Sequence, residues 1–156
     1  MENILGWRSQ FERMDRWYQR IVHQQAVPGR NDDADADILD LYLAFFLNCY
    51  SLRDWFVKSG AISDAVLAEA IKSSPDMQLC RDLCNRSKHM SLDRQASVDA
   101  GFSILREYRG QNRPNALVII AADTKRDLFD VVGGCQQFWK DFVRTHQPPE
   151  STVPFR

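Results

Sequence analysis

Ile38-Leu39-Asp40-Leu41-Tyr42-Leu43-Ala44-Phe45-Phe46-Leu47-Asn48-Cys49-Tyr50-Ser51-Leu52-Arg53-Asp54-Trp55-Phe56-Val57-Lys58-Ser59 is apolar on nearly every side when wound as a helix. Leu39, Leu41, Tyr42, Leu43, Phe45, Phe46, Leu47, Tyr50, Leu52, Trp55 and Phe56 are too densely placed for a single stripe. Such a helix needs neighbours over most of its surface, so this segment is expected to be the central helix of a bundle. Its longest apolar run, Leu41 to Leu47, is too short to cross a bilayer. Asn48 and Ser51 interrupt it with polar groups that require partners in the core or across an interface. Gly60 supplies the stop.

Towards the N-terminus, Asn31 to Asp37 reads as an acidic loop, with Asp35 or Asp37 as N-cap of the central helix. Its aspartates lack the glycine and the closing glutamate of a calcium loop. Before it, Ile4, Trp7, Phe11, Met14, Tyr18 and Ile21 recur at alternating spacings of three and four. This is one apolar stripe on a helix from about Asn3 to Gln25, ended by Val27-Pro28-Gly29. The stripe suits packing within a bundle, and equally a seam between subunits.

Towards the C-terminus, Ser63 caps a short helix to about Ser73, and Ser74-Pro75-Asp76 opens another that runs to about His89. Val98, Ala100, Phe102 and Ile104 then alternate with polar residues or glycine. With the β-branched run Leu117-Val118-Ile119-Ile120 and a turn at 110–115, they predict a β-hairpin over about 95–122. A final helix is expected from Asp123-Thr124, with Asp127 in a capping box and Leu128, Val132, Cys135, Trp139 and Phe142 as its buried stripe. Gly133-Gly134 within it predicts a close helix contact or a kink. The fold class is therefore mainly α: a bundle of four main helices plus one short helix, with a β-hairpin before the last. Residues 1–147 form the expected single domain, and 148–156 a flexible tail.

Composition sets the outer limits. The chain has 156 residues, of which 44% are hydrophobic and 26% charged, with a formal net charge of −1. That is enough chain for one real core, and too apolar and too nearly neutral for disorder. The charge is uneven, at +2 over residues 1–30, −6 over 31–79 and +3 over 80–156. This is too mild for a protein that coats duplex DNA, yet it allows a local basic patch or complementary faces between subunits. Cys49, Cys80, Cys84 and Cys135 in a well-cored chain read as reduced thiols and point to the cytoplasm. Glu2, Arg8, Glu12 and Arg13 leave no apolar core for a signal peptide.

The chemistry concentrates in Cys80-Arg81-Asp82-Leu83-Cys84-Asn85-Arg86-Ser87-Lys88-His89. At about 100° per residue, Asp82, Asn85, Arg86 and His89 share an arc of about 100°, opposite Met77, Leu79, Cys80, Leu83 and Cys84. Facing away from the core, they form a cleft only if another element or subunit covers them. Cations in the last turn complement the helix dipole, and Asp82 with Arg86 is an ordinary i,i+4 pair. The functional reading gives the catalytic roles to His89, Arg86 and Arg81. Neutral His89 would take the proton of a ribose 2′-hydroxyl, and an arginine would hold the phosphate and offset its growing charge. Asp82, Asn85 and Lys88 would bind or orient the substrate. This is metal-independent cleavage of RNA, with no cofactor expected. Cys80-x3-Cys84-x4-His89 is the nearest zinc pattern, but lacks finger spacing, so buried thiols and no metal are expected. Arg106, Tyr108, Arg109 and Arg113 mix basic and aromatic groups as nucleic-acid surfaces do, and a charge-protected strand edge explains them equally. No phosphate-binding glycine loop and no nucleophile elbow occurs.

A long helical pair followed by a polar helix with arginine, asparagine and a terminal histidine resembles the HEPN superfamily of small helical domains. Leu52-Arg53-Asp54-Trp55 and Asn85-Arg86-Ser87-Lys88-His89 are also similar to motifs in bacterial helical proteins of this size. The overlap covers about residues 1–90 and the last helix, with the hairpin as an insertion. In HEPN ribonucleases an arginine precedes the histidine by four to six intervening residues. Here seven separate Arg81 from His89, and two separate Arg86 from His89. The resemblance implies an RNA-directed domain, possible as a ribonuclease of a bacterial toxin or phage-defence system, working as a homodimer. The alternative is a non-catalytic module docking a protein partner through its polar helix and basic hairpin. Neither reading involves a membrane.

Overall fold

The computed structural model describes residues 4–25, 32–88, 96–110, 113 and 115–150, with the backbone alone at 32–35. In chain order the elements are α1 (Trp7–Gln25), α2 (Asp32–Lys58), α3 (Asp64–Lys72), α4 (Pro75–Lys88), β1 (Ser103–Glu107), β2 (Ala116–Ala121), β3 (Thr124–Asp127) and α5 (Leu128–His146). The expected mainly α bundle is present: α1, α2, α4 and α5 pack together, and short α3 lies against α4. No helix among the described residues is long and apolar enough to cross a membrane.

Helix α2 is the central one. Ile38, Tyr42, Phe45, Phe46, Cys49, Leu52 and Phe56 are buried along it. Its start differs from the sequence expectation: residues 32–37 belong to the helix, where an acidic loop was expected. At the other end Gly60 adopts φ 71°. The Ala61 N–H donates to the Phe56 carbonyl at 3.2 Å and the Gly60 N–H to that of Val57 at 3.0 Å, a Schellman stop.

Helix α1 buries Trp7, Met14 and Ile21 against α2, while Ile4, outside the helix, is 78% exposed. The polar groups of α2 have found the partners they need. Gln10 of α1, itself buried, donates from Nε2 to the Asn48 carbonyl at 2.9 Å, and Asn48 Nδ2 donates to the Ala44 carbonyl at 2.8 Å. Ser51 Oγ donates to the Leu47 carbonyl at 2.6 Å. The Trp7 indole N–H donates to the Pro149 carbonyl at 2.8 Å, so the chain just past α5 returns to the start of α1.

Both serine caps form as the sequence indicates. Ser63 Oγ accepts from the Val66 N–H at 3.3 Å, and Ser74 Oγ from the Met77 N–H at 3.2 Å. The five expected stripe residues of α5 are all buried, and the Trp139 indole N–H donates to the Cys49 carbonyl at 3.0 Å, tying α5 to α2. Of the two glycines, Gly134 marks the close contact: a Cβ there would lie 1.9 Å from Asp76 Oδ2. Asp76, in the first turn of α4, also accepts from Arg126 Nη2 at 2.7 Å.

The expected hairpin is β1 with β2, in antiparallel register with Leu105 opposite Val118. A third strand, β3, joins β2 on its other edge with Ile119 opposite Arg126. The sequence reading gave residues 123–127 to the last helix. Ala122 (φ 47°) and Asp123 (φ 60°) instead turn the chain back, as a tight hairpin requires at both central positions. Asp127 is then the N-cap of α5, accepting from the Phe129 N–H at 2.8 Å. Strand β1 begins only at Ser103, because Ser97, Val98 and Asp99 are held elsewhere.

Candidate anion-binding cleft

Asp82 is wholly buried, although the helical wheel placed it on a solvent face. The segment after α4 covers it. Its carboxylate accepts from the backbone N–H groups of Ser97 at 2.6 Å, Val98 at 2.8 Å and, more loosely, Asp99 at 3.4 Å. Asp99 continues the chain of anchors, accepting from Gly101 at 2.8 Å and from Ala122, in the β2–β3 turn, at 3.0 Å. The Ala122 and then the Gly101 N–H favour the ionised form, which lowers the Asp99 carboxyl below its usual range. Two aspartates thus fasten α4 to the sheet.

This anchoring builds a cleft beside α4. Ser97, held by Asp82, accepts a hydrogen bond at 3.0 Å from Nη1 of Arg81, which is half-buried. The cleft has a volume of about 430 Å³ and is lined by Tyr50 and Arg53 of α2, Ala68, Ile71 and Lys72 of α3, Gln78 and Arg81 of α4, and Ser97. Three cations from three helices therefore border one concavity with no carboxylate in its lining. Just outside, Asp64 Oδ1 accepts from Arg53 Nη2 at 2.7 Å, and the Tyr50 hydroxyl accepts from Arg53 Nη1 at 3.3 Å. The bond to Asp64 and then that to Tyr50 raise the Arg53 guanidinium above its ordinary value, so it is always charged. Arg53 lies in the Leu-Arg-Asp-Trp motif. Lys72, Gln78 and Tyr50 carry no comparable signal in sequence, since only the packing of α2, α3 and α4 on one another brings them together.

The other sequence candidates part from Arg81. Arg86 is half-buried with its guanidinium carbon 5.5 Å from the centre of the Phe102 ring, a cation–π contact across to the start of the sheet. Asn85 is half-buried and Lys88 exposed at the end of α4. His89 lies outside the described residues. The hairpin cations are largely engaged within the sheet. Arg109 pairs with Asp127 at 3.0 Å and Glu107 at 3.3 Å, and Lys125 Nζ lies 2.5 Å from Glu107 Oε2. Arg106 Nη1 meets the Tyr108 hydroxyl at 3.4 Å.

A second constellation escaped the sequence reading. Cys49, Cys80 and Cys135, from α2, α4 and α5, converge in the core with all three sulphurs within 4.8 Å of one another. Burial pushes the Cys80 and Cys135 thiols well up. At Cys49 burial acts the same way, but the neighbouring Cys135, Cys80 and Trp139 side chains outweigh it and lower that thiol. Cys84, one turn beyond Cys80, is buried but outside the trio. All four cysteines are buried free thiols, as the sequence leads one to expect, but the three that meet come from separate helices and not from the Cys80–Cys84 spacing.

No family model, curated protein or solved structure matches this chain.

Proposed function

We propose that this chain is an RNA-directed helical domain that grips a phosphate of its ligand in the cleft between α2, α3 and α4. The observation that carries the reading is the meeting of Arg53, Lys72 and Arg81 around one cavity whose other polar linings are Tyr50, Gln78 and Ser97. Arginine offers a planar fork of donors to a phosphate and lysine a mobile point charge. Arg81 is held in place by Ser97, and Ser97 by the buried Asp82, so part of the ordering cost is met before a ligand arrives. One small cationic cleft on a chain of net charge −1 suits a local grip on a single strand better than the tracking of a duplex. The resemblance to HEPN domains points the same way. It also supplies the catalytic extension, in which His89 takes the 2′-hydroxyl proton while Arg81 or Arg86 offsets charge on the phosphate, in a toxin or phage-defence setting.

The test is binding of a single-stranded RNA oligonucleotide, followed by fluorescence anisotropy over a range of salt. Lys72→Ala touches no internal side-chain bond among the described residues. It should weaken binding and reduce the salt slope by about 0.7, the value for one phosphate contact on a single strand. Unchanged affinity and slope in Lys72→Ala and Arg81→Ala would refute the cleft as the site. For cleavage, metal-free RNA turnover by the parent and His89→Ala is compared. Equal activity removes His89 from the reaction while leaving the binding reading intact.

A second reading, an interaction module working as a homodimer, is favoured by the outer face of the sheet. Leu105 and Ile120 stand exposed there at 48% and 37%, beside the Glu107–Lys125 pair. It predicts self-association that Leu105→Arg abolishes, read by sedimentation velocity. A monomer at all concentrations removes it.

A further inference from the structure

Three buried thiols facing one another where three helices meet need more explanation than packing. Cys49, Cys80 and Cys135 are each wholly inaccessible, and their sulphurs lie within 4.8 Å of one another. Their orientation is over-determined. The Cys80 thiol donates to the Phe46 carbonyl at 3.6 Å, the Cys135 thiol to the Asp76 carbonyl at 3.3 Å, and the Trp139 indole fixes the Cys49 carbonyl at 3.0 Å. Gly134, next to Cys135, lets α5 approach the Asp76 end of α4 where any side chain would collide. The helix approach that brings Cys135 to Cys80 thus depends on a residue with no other evident reason to be glycine.

We propose that Cys49, Cys80 and Cys135 form a three-sulphur site for a soft, thiophilic metal ion, Cu(I) in the first instance. A metal–sulphur distance of about 2.3 Å in a trigonal plane sets the sulphurs about 4.0 Å apart, inside the 4.8 Å that already bounds their separations. Among the described residues no fourth cysteine, histidine or carboxylate joins the trio. Thiolates suit both zinc and cuprous ions, but zinc favours four ligands, so a set of three sulphurs with no fourth donor fits Cu(I) better. On binding, each S–H bond breaks, its proton passes to the buffer, and the sulphur electron pair left behind forms the bond to the metal. No oxidant or reductant takes part. Because the site lies in the core, loading ties three helices together and couples metal binding to folding.

The experiment titrates the full reduced, metal-free chain with Cu(I) under anaerobic conditions against a competing chromophoric chelator. One equivalent per chain should be withdrawn from the chelator. Cys49→Ser, Cys80→Ser and Cys135→Ser should each weaken retention by at least about tenfold, the lower end of the loss seen even for outer partners of a metal. Cys84→Ser should behave as the parent. X-ray absorption at the copper edge of the loaded parent should give three sulphur neighbours, a readout that does not depend on any variant folding. No uptake, uptake dependent on Cys84, or nitrogen and oxygen neighbours would overturn the site. Preferential retention of Zn(II) with an oxygen as fourth ligand would overturn the choice of ion.

Discussion

Replacing Asp82 by alanine should cost more stability than any other single carboxylate change among the described residues. The side chain is fully buried and accepts backbone hydrogen bonds at 2.6 and 2.8 Å, with a third contact at 3.4 Å. A hydrogen bond to a charged group contributes about 1.5–3 kcal/mol net. Two short bonds therefore place the loss at about 3–6 kcal/mol, with the long third contact adding little. Domains of this kind are stable by about 5–15 kcal/mol in total, so the variant should remain folded only marginally. Urea unfolding followed by tryptophan fluorescence reads this directly. With a slope of about 2 kcal/mol per molar urea, the midpoint should fall by about 2 M. Asp82→Asn keeps one acceptor oxygen but turns an amide N–H₂ towards the remaining donors, so it should lie between parent and alanine. Asp40→Ala, at an exposed site on α2, should stay within about 0.5 kcal/mol of the parent. A loss below about 1 kcal/mol in Asp82→Ala would refute the anchor, and with it the account of how Ser97 and Arg81 are positioned.

Three further outcomes follow from local geometry. Gly134→Ala should destabilise by about 1–3 kcal/mol, since its Cβ would meet the Asp76 carboxylate. Gly133→Ala, with open space around it, should stabilise by up to about 1 kcal/mol, and equal thermal midpoints for the two variants would contradict this contact. Asp99 has a folded pKa below its ordinary value of 3.8, so its contribution is present above that value and lost as pH falls through the folded one. The difference in urea midpoint between the parent and Asp99→Ala should therefore be present at pH 7 and shrink below about pH 4; a difference independent of pH would oppose it. Asp64→Asn should tighten RNA binding in the anisotropy assay, because Arg53 then gives up no ion pair to reach a phosphate. Weaker binding in Asp64→Asn would mean that Asp64 positions Arg53 rather than competing for it.

The sequence by itself determined what local physics controls. The all-round apolarity of 38–59 made α2 central, the periodicity of α1 and α5 fixed which faces are buried, and Ser63, Ser74 and Gly60 fixed where helices begin and end. A cap or a stripe depends on neighbours a few residues away, so it is legible one residue at a time. The third strand was missed because Thr124-Lys125-Arg126-Asp127 has no apolar alternation; it is a strand by pairing with β2 and by the turn at Ala122-Asp123. Asp82 was misplaced for a related reason. A helical wheel knows only its own helix, whereas the cover over Asp82 comes from residues 97–99, beyond the end of α4. Of the candidate cleft, Arg81 and the motif holding Arg53 stood out in sequence, while Lys72, Gln78 and Tyr50 did not. The three-thiol group was invisible altogether, because its members lie on separate helices and the nearest sequence neighbour of Cys80, Cys84, points elsewhere. Distances between elements are set by side-chain volumes packed across the whole core, down to the missing Cβ of Gly134, and that packing is what only the tertiary structure decided.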